Sequence, residues 1–382
     1  MKRILAVHLL NDRSGSPLVL RNALLSLRAA GFHIDLLTGT PTGETGFLSD
    51  LPGISTHALP YQWSPSRWRT LLRFAWVQLV VFGQVLRLVR PGTVVYVNSL
   101  LPAAAALAAR CRGARVVYHL HEVSIRPALL MRLLRAVANH TAHRALFVSE
   151  YVRRTLALRV PQQAVVPNVL SAEFIAEAEA DGPAADGPFT VLMACSLKDY
   201  KGVPEFVALA AAMPELHFEL VLNAPAAQVQ HYRQQHTLPP NLALFAAVHD
   251  MHPFYRRAAV VANLSRPTEW VETFGMTILE ALQHGRPVLV PTMGGVAEVN
   301  QAGQTGFAID GHNLPALRLA LNLLATNRPT YLRMAAACRH RAAYFSPARF
   351  AEQLQQQFQA EVVSSARPTA PAYVPGHVTA RA

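Results

Sequence analysis

Short apolar runs recur along the first half of the chain, bounded by turn residues and separated by longer stretches with helical spacing. Arg3–Leu9 reads as a strand followed by a turn over Asn11–Ser16. Ser16 is placed to cap a helix with Pro17 at its first position, and that helix should run to about Ala30 and stop at Gly31. Further strands are predicted at Ile34–Leu37, Thr93–Asn98, Arg115–His119, Ala145–Val148 and Ala164–Val166, with helical patterns between them. Strands alternating with helices imply an α/β class and a parallel sheet covered on both faces.

Residues 177–188 interrupt this rhythm with a small, acidic stretch rich in Gly and Pro, and are the best candidate linker. The alternation then resumes, with strands expected at Phe189–Ala194, His217–Leu222, Leu242–Phe245, Val260–Asn263, Pro287–Val290 and Gly306–Ile309. A Gln-rich amphipathic helix is expected at Pro347–Val362, and the tail after Ser364 reads as disordered. The expected organisation is an N-terminal domain at 1–176, a linker at 177–188, a C-terminal domain at 189–346, a closing helix at 347–363 and a tail at 364–382. Two doubly wound domains place a ligand cleft between the carboxyl ends of their sheets.

Of the 382 residues, 51% are hydrophobic and 15% charged, which fits a folded, well-buried protein. The formal charge of +12 favours polyanionic or phosphorylated partners. No zinc finger, RNA-recognition motif or basic arm accompanies it, so nucleic acid is not an expected partner. Lys is rare, at positions 2, 198 and 201 only, which makes Lys198 and Lys201 conspicuous. Three distant Cys fit neither a disulfide framework nor a Cys-based zinc site, and suit a reducing cytoplasm. The opening Met1-Lys2-Arg3 lacks a following cleavage site and reads as the lead into a buried strand rather than a signal peptide.

The longest uncharged apolar run, Phe74–Leu86, has thirteen residues and is too short to span a bilayer. Arg67, Arg69, Arg73, Arg87 and Arg90 flank it, with Trp63, Trp68 and Trp76 nearby. Two readings stay open: a buried helix, or one lying on an anionic membrane surface.

The chemistry concentrates in Arg266–Gly285. A strand ends near Asn263, and a helix should begin near Thr273, so Glu272 falls in the loop and Glu280 about two turns in. Helix N-termini suit anionic or hydroxyl-rich ligands. Spacing alone leaves Glu272 as a ligand contact or a helix cap, and Glu280 as a ligand contact or a solvated residue.

Glu272, Phe274, Gly275, Glu280, Ala281, Gly285, Pro287 and Val288, followed by Gly294-Gly295 and Glu298, together resemble the donor-site signature of family 4 retaining glycosyltransferases. The resemblance covers residues 1–362 and is strongest in the C-terminal half. It implies the GT-B fold, two Rossmann-like domains facing across a cleft, and a nucleoside-diphosphate sugar as donor. It also implies that Glu272 holds donor hydroxyls, that the Phe274-Gly275 backbone and adjoining Met276 lie by the sugar, and that Glu280 binds the ribose.

In the same resemblance, the loop Ser196–Lys201 meets the donor diphosphate without a metal or other cofactor. Lys201 stabilises the leaving group, Ser196 stands where the family usually has Arg, and Lys198 is the candidate substitute. Gly15 and Ser16 match the small-residue loop near the phosphates and acceptor, with Gly15 allowing close backbone approach. His121-Glu122 matches a family pair in which His lies near the transferred sugar. His119 and His121 share one strand face, which also invites a metal reading, although no third ligand is evident. Asn98-Ser99, Ser149-Glu150 and Pro167-Asn168 match strand-end positions that line a cleft or serve as turns and caps.

The implied reaction is retaining sugar transfer to an acceptor hydroxyl. The acceptor would be a glycan or lipid-linked, in bacterial surface polysaccharide or lipopolysaccharide assembly, in the cytoplasm with a peripheral contact at the inner face of the plasma membrane. A sugar-nucleotide epimerase of the same fold and a non-catalytic nucleotide-sugar-binding protein are the rival readings.

Overall fold

The structure, a computed structural model, describes residues 2–39, 46–61, 67–180 and 187–365. Its N-terminal sheet comprises β1 (Arg3–Leu10), β2 (His33–Gly39), β3 (Ser55–Ala58), β4 (Thr93–Asn98), β5 (Arg115–Leu120), β6 (Arg144–Phe147) and β7 (Gln162–Val165), in the order β3-β2-β1-β4-β5-β6-β7. The second sheet comprises β8 (Thr190–Cys195), β9 (His217–Leu222), β10 (Leu242–Phe245), β11 (Val260–Ala262), β12 (Val288–Val290) and β13 (Gly306–Ala308), in the order β10-β9-β8-β11-β12-β13. Strand pairing is parallel throughout. Both sheets reverse their winding beside their first strand, and the crevices outside β1/β4 and β8/β11 are therefore where ligands should sit.

Every predicted strand is present within about two residues, a shift expected of element ends. The unpredicted β3 is a short edge strand whose sequence, Ser-Thr-His-Ala, carries no apolar alternation. The alternation of β1, β4 and β5 feeds two cores. Leu5, Val7, Val95, Val97, Val116 and Tyr118 face helices Arg67–Leu88, Ala103–Cys111 and Ala128–Thr141, while Ile4, Ala6, Val94, Tyr96 and Val117 face helix Gly15–Ala29.

Two boundaries differ from expectation. Residues 177–179 of the expected linker finish helix Ala172–Glu179, whose Phe174 packs on His252 and Tyr255 beyond the linker; residues 181–186 lie outside the described residues. The last helix runs over Pro347–Ser365, so it takes in the first residues of the expected tail, and the rest of that tail also lies outside the described residues. Phe350, Leu354 and Phe358 of this helix join the core beside helix Gly15–Ala29. Its buried Glu361 pairs with Arg115 Nε at 2.8 Å and Arg144 Nε at 3.0 Å. The chain thus returns to its first sheet after completing the second.

Candidate active site

On the C-terminal side, β8 and β11 each feed a loop into the crevice. After β8, residues 196–198 lead into a short 3-10 turn, Asp199–Lys201. The Lys201 ammonium donates to Glu272 Oε2 at 2.8 Å and lies 5.7 Å from the Trp270 ring centroid, with Tyr200 stacked on that ring. The Tyr200 carbonyl accepts from the Arg266 amide at 2.8 Å, and Arg266 Nε donates to Glu205 at 2.7 Å, so the two loops are tied together. Glu272 is therefore no helix cap. Lys198 is exposed on the same loop, and the Ser196 carbonyl accepts from its amide.

Helix Met276–Gln283 starts three residues later than expected, because Gly275 at its cap position takes φ +91°. A side chain at Gly275 would also meet Val296 Cγ2 at 2.6 Å. Glu280 consequently lies one turn into the helix rather than two. Nor is it a solvated residue: the hydroxyl of fully buried Tyr255 donates to Glu280 Oε2 at 2.5 Å. Burial raises the Glu280 carboxyl above its ordinary range, and this hydrogen bond opposes the shift. Phe274 is buried edge-on against Phe345, so only its backbone is available to a ligand, and Met276 packs partly buried on the same core.

The N-terminal side is organised around Asn98 at the end of β4. Its side-chain amide donates to Ser16 Oγ at 2.9 Å and lies 3.1 Å from His8 Nδ1, while its Oδ1 accepts from His121 Nε2 at 2.8 Å. Ser16 thus binds Asn98 instead of capping its helix, which starts at Gly15; Ser14 holds the cap position, and its hydroxyl turns back to Asp12 Oδ1. A side chain at Gly15 would meet nothing within 4 Å, so the fold itself does not demand glycine there and the space beside it is open. The His119 and His121 rings lie 4.5 Å apart, and His119 Nδ1 is engaged by the Tyr96 hydroxyl at 2.7 Å. Burial lowers His8 and His121 below the ordinary histidine range and brings His119 to about 3, with neighbouring histidines adding to the shift at His121. Glu122 is raised by burial and accepts from Ser99 Oγ at 2.5 Å and the Leu100 amide at 2.8 Å.

The two sides meet through Ser149 and Glu298. Ser149 Oγ donates to the Thr273 carbonyl at 2.7 Å, and Glu298 accepts from the amides of Glu150 and Tyr151, the first residues of helix Glu150–Leu156. The Glu272 carbonyl accepts from the Gly295 amide at 2.8 Å. The expected groups accordingly assemble as two sets: Lys201, Glu272 and Glu280 on one side, Gly15, Ser16, His121 and Glu122 on the other. His8 and Tyr255 were not foreseen. His8 had a signal, a polar residue inside the otherwise apolar β1 run, whereas Tyr255 had none.

Residues 14–169 match the family "Glycosyl transferase 4-like domain", and residues 175–341 match "Glycosyl transferases group 1". The chain thus carries a glycosyl transferase 4-like domain followed by a glycosyl transferases group 1 domain. Its fold is GT-B, shared with the sucrose-phosphate synthase of Thermosynechococcus elongatus at TM-score 0.79 and 18% identity, covering 95% of this chain and all of that one. HepE of Anabaena, solved in complex with UDP and glucose, superposes at TM-score 0.73 and 19% identity, covering 94% of this chain and all of HepE. A curated relative, the D-inositol 3-phosphate glycosyltransferase of Corynebacterium diphtheriae, is 29% identical over 178 residues, which are 42% of this chain and 40% of that protein. The alignments with the first curated relatives span less than half of their lengths.

Proposed function

We propose that this glycosyltransferase moves a sugar, with retention and without a metal, from a nucleoside-diphosphate sugar to an acceptor hydroxyl. The observation that carries the reading is the Lys201–Glu272 pair on the loops that follow β8 and β11, with Glu280 one turn into the helix that follows Glu272. A carboxylate that is already neutralised by an ammonium can exchange that partner. An arriving diphosphate draws the Lys201 ammonium to itself and leaves Glu272 free to accept from donor hydroxyls. Glu280, deeper and orientated by Tyr255, accepts from the ribose. HepE, solved with UDP and glucose and with UDP-glucose, supports a nucleotide-sugar donor.

On the opposite wall Glu122 is committed to Ser99 and Leu100, which disfavours a covalent glycosyl–carboxylate intermediate there. Departure of the diphosphate on the face that the acceptor attacks fits this wall better: the leaving oxygen takes the acceptor proton, and His121 polarises the transferred sugar. We place the reaction in the cytoplasm, on glycan or lipid-linked acceptors of surface polysaccharide or lipopolysaccharide assembly.

A thermal-shift panel of UDP, GDP, ADP, TDP and CMP in chelator tests this. Stabilisation by a nucleoside diphosphate is expected, with Glu280→Ala weakening it about tenfold, as for loss of a hydrogen bond to a charged group. Glu272→Ala should mainly lower turnover. Absence of any nucleotide shift would overturn the donor site, a shift without any transfer would favour the non-catalytic binding protein, and conversion of UDP-N-acetylglucosamine alone to its manno epimer would establish the epimerase instead.

A further inference from the structure

The net charge is not spread over the molecule. Between Asp50 and Glu150 the chain holds twelve Arg and no Lys, with Glu122 as its single acidic residue, a formal +11 against +12 for all 382 residues. Glu122 is half-buried and committed to Ser99 Oγ and the Leu100 amide. Arg115 and Arg144 leave for the opposite side of the sheet, where Glu361 neutralises them. Most of the other Arg belong to or adjoin the three helices covering one face of the N-terminal sheet: Arg67–Leu88, Ala103–Cys111 and Ala128–Thr141.

These helices carry no acidic residue and are apolar outward as well as inward. Along Arg67–Leu88, Val77, Val81 and Val85 are fully buried in the core, yet Leu72, Trp76 and Leu79 on the opposite side are 70%, 59% and 68% exposed. Arg69, Arg73 and Arg87 fall along one edge of that exposed stripe at helical spacing. The adjoining helices extend it with exposed Leu107, Leu129 and Leu133, the last two on either side of Arg132. A surface helix normally turns its apolar side inward only, and so large an exposed apolar area marks an interaction surface.

We propose that this three-helix face docks on an anionic lipid bilayer, with the apolar side chains entering the headgroup region and the Arg fringe meeting lipid phosphates. Charge and apolarity select the occupant together. Nucleic acid would match the Arg but not the exposed Leu and Trp. The segment Arg69–Leu88 is long and apolar enough to cross a bilayer, but Val77, Val81 and Val85 are locked into the domain core, so the helix lies in the membrane plane. Crossover helices run antiparallel to their strands, which puts the first turns of these helices, and with them Leu72, Trp76, Leu129 and Leu133, toward the carboxyl edge of the sheet where the cleft opens. The surface therefore serves the acceptor side. The inference does not depend on the transferase reading, since binding is measured without substrate.

The test is co-sedimentation of the full chain with vesicles of phosphatidylcholine, alone or mixed with phosphatidylglycerol. Binding to the mixed vesicles, its loss in high salt, and none to phosphatidylcholine alone are expected. The exposed triple variant Leu72→Gln, Trp76→Gln, Leu79→Gln and the variant Arg69→Gln, Arg73→Gln, Arg87→Gln should each bind at least about tenfold more weakly, with circular dichroism and the nucleotide thermal shift unchanged. Equal binding to both vesicle types, or wild-type binding by either variant, would overturn the proposal. A dimer in sedimentation velocity that the Leu/Trp variant dissociates would assign the face to a second copy of the chain instead.

Discussion

The two walls of the cleft are built on opposite electrostatic plans. The C-terminal wall sets fixed charges on loops: the Lys201–Glu272 pair, with Glu280 behind them. The N-terminal wall is a set of buried and half-buried, neutral, hydrogen-bonded groups in which Asn98 links His8, Ser16 and His121. A departing diphosphate needs compensating charge at a fixed place, whereas an incoming hydroxyl needs orientation in surroundings that keep water out. Under the proposed function, the contrast gives leaving-group chemistry to one wall and placement of the transferred sugar and acceptor to the other. A protein whose walls were both neutral, or both charged, would not divide its labour in this way.

The largest expected effect falls on the charged wall. Lys201→Ala should lower turnover on the order of a hundredfold or more, as removal of a preorganised charge from a transition state does. In kinetics this should lower kcat while the fold is unchanged; an unaltered kcat would remove Lys201 from the leaving-group site and break the comparison at its strongest point.

Next is the seam between the walls. Gly295 sits where a side chain would overlap the Thr273 carbonyl and approach Ser149 Oγ at 2.7 Å. Gly295→Ala should therefore cost up to about 3 kcal/mol by overpacking, read in urea unfolding, and should weaken nucleotide binding by displacing Glu272. If the variant has wild-type stability and affinity, the seam does not position the donor loop.

The smallest effect distinguishes the neutral wall. Burial holds His8, His119 and His121 uncharged. Below about pH 6.5 the unfolded chain takes up protons that the folded one refuses, so stability falls with pH by at most about 1.4 kcal/mol per pH unit for each histidine. The raised carboxyls of Glu122 and Glu280 act in the opposite sense above the ordinary carboxylate range and blunt the slope. Thermal unfolding between pH 7 and pH 5 should show the decline in wild type and in Lys201→Ala alike; a flat profile would mean the histidines are not held neutral.

The charged wall was the more legible of the two. Its groups lie in two short segments, 196–202 and 266–285, whose residue spacing survives as a motif, and strand–loop–helix punctuation placed both at a sheet edge. What misled there was local: Gly275 delays the helix, so Glu280 comes one turn in and not two. The neutral wall draws its groups from β1, β4 and β5 and from the first turn of helix Gly15–Ala29, up to 113 positions apart from His8 to His121. Ser16 carried a capping signal, but its hydroxyl was taken by Asn98, a partner that only the β1–β4 pairing brings near.

By itself the sequence determined the alternation of strands and helices, the two sheets, the loop segments that carry Lys201, Glu272 and Glu280, and the charge asymmetry, because periodicity, turn residues and net charge are properties of neighbouring positions. Tertiary structure decided the rest. It chose Tyr255 as the partner of Glu280 and Asn98 as the hub of the opposite wall, sent Glu361 back to the first sheet, and left one side of helix Arg67–Leu88 uncovered. Each of these depends on which distant surfaces meet when two sheets pack, and hydrophobic burial fixes that for the whole chain rather than for any window of it.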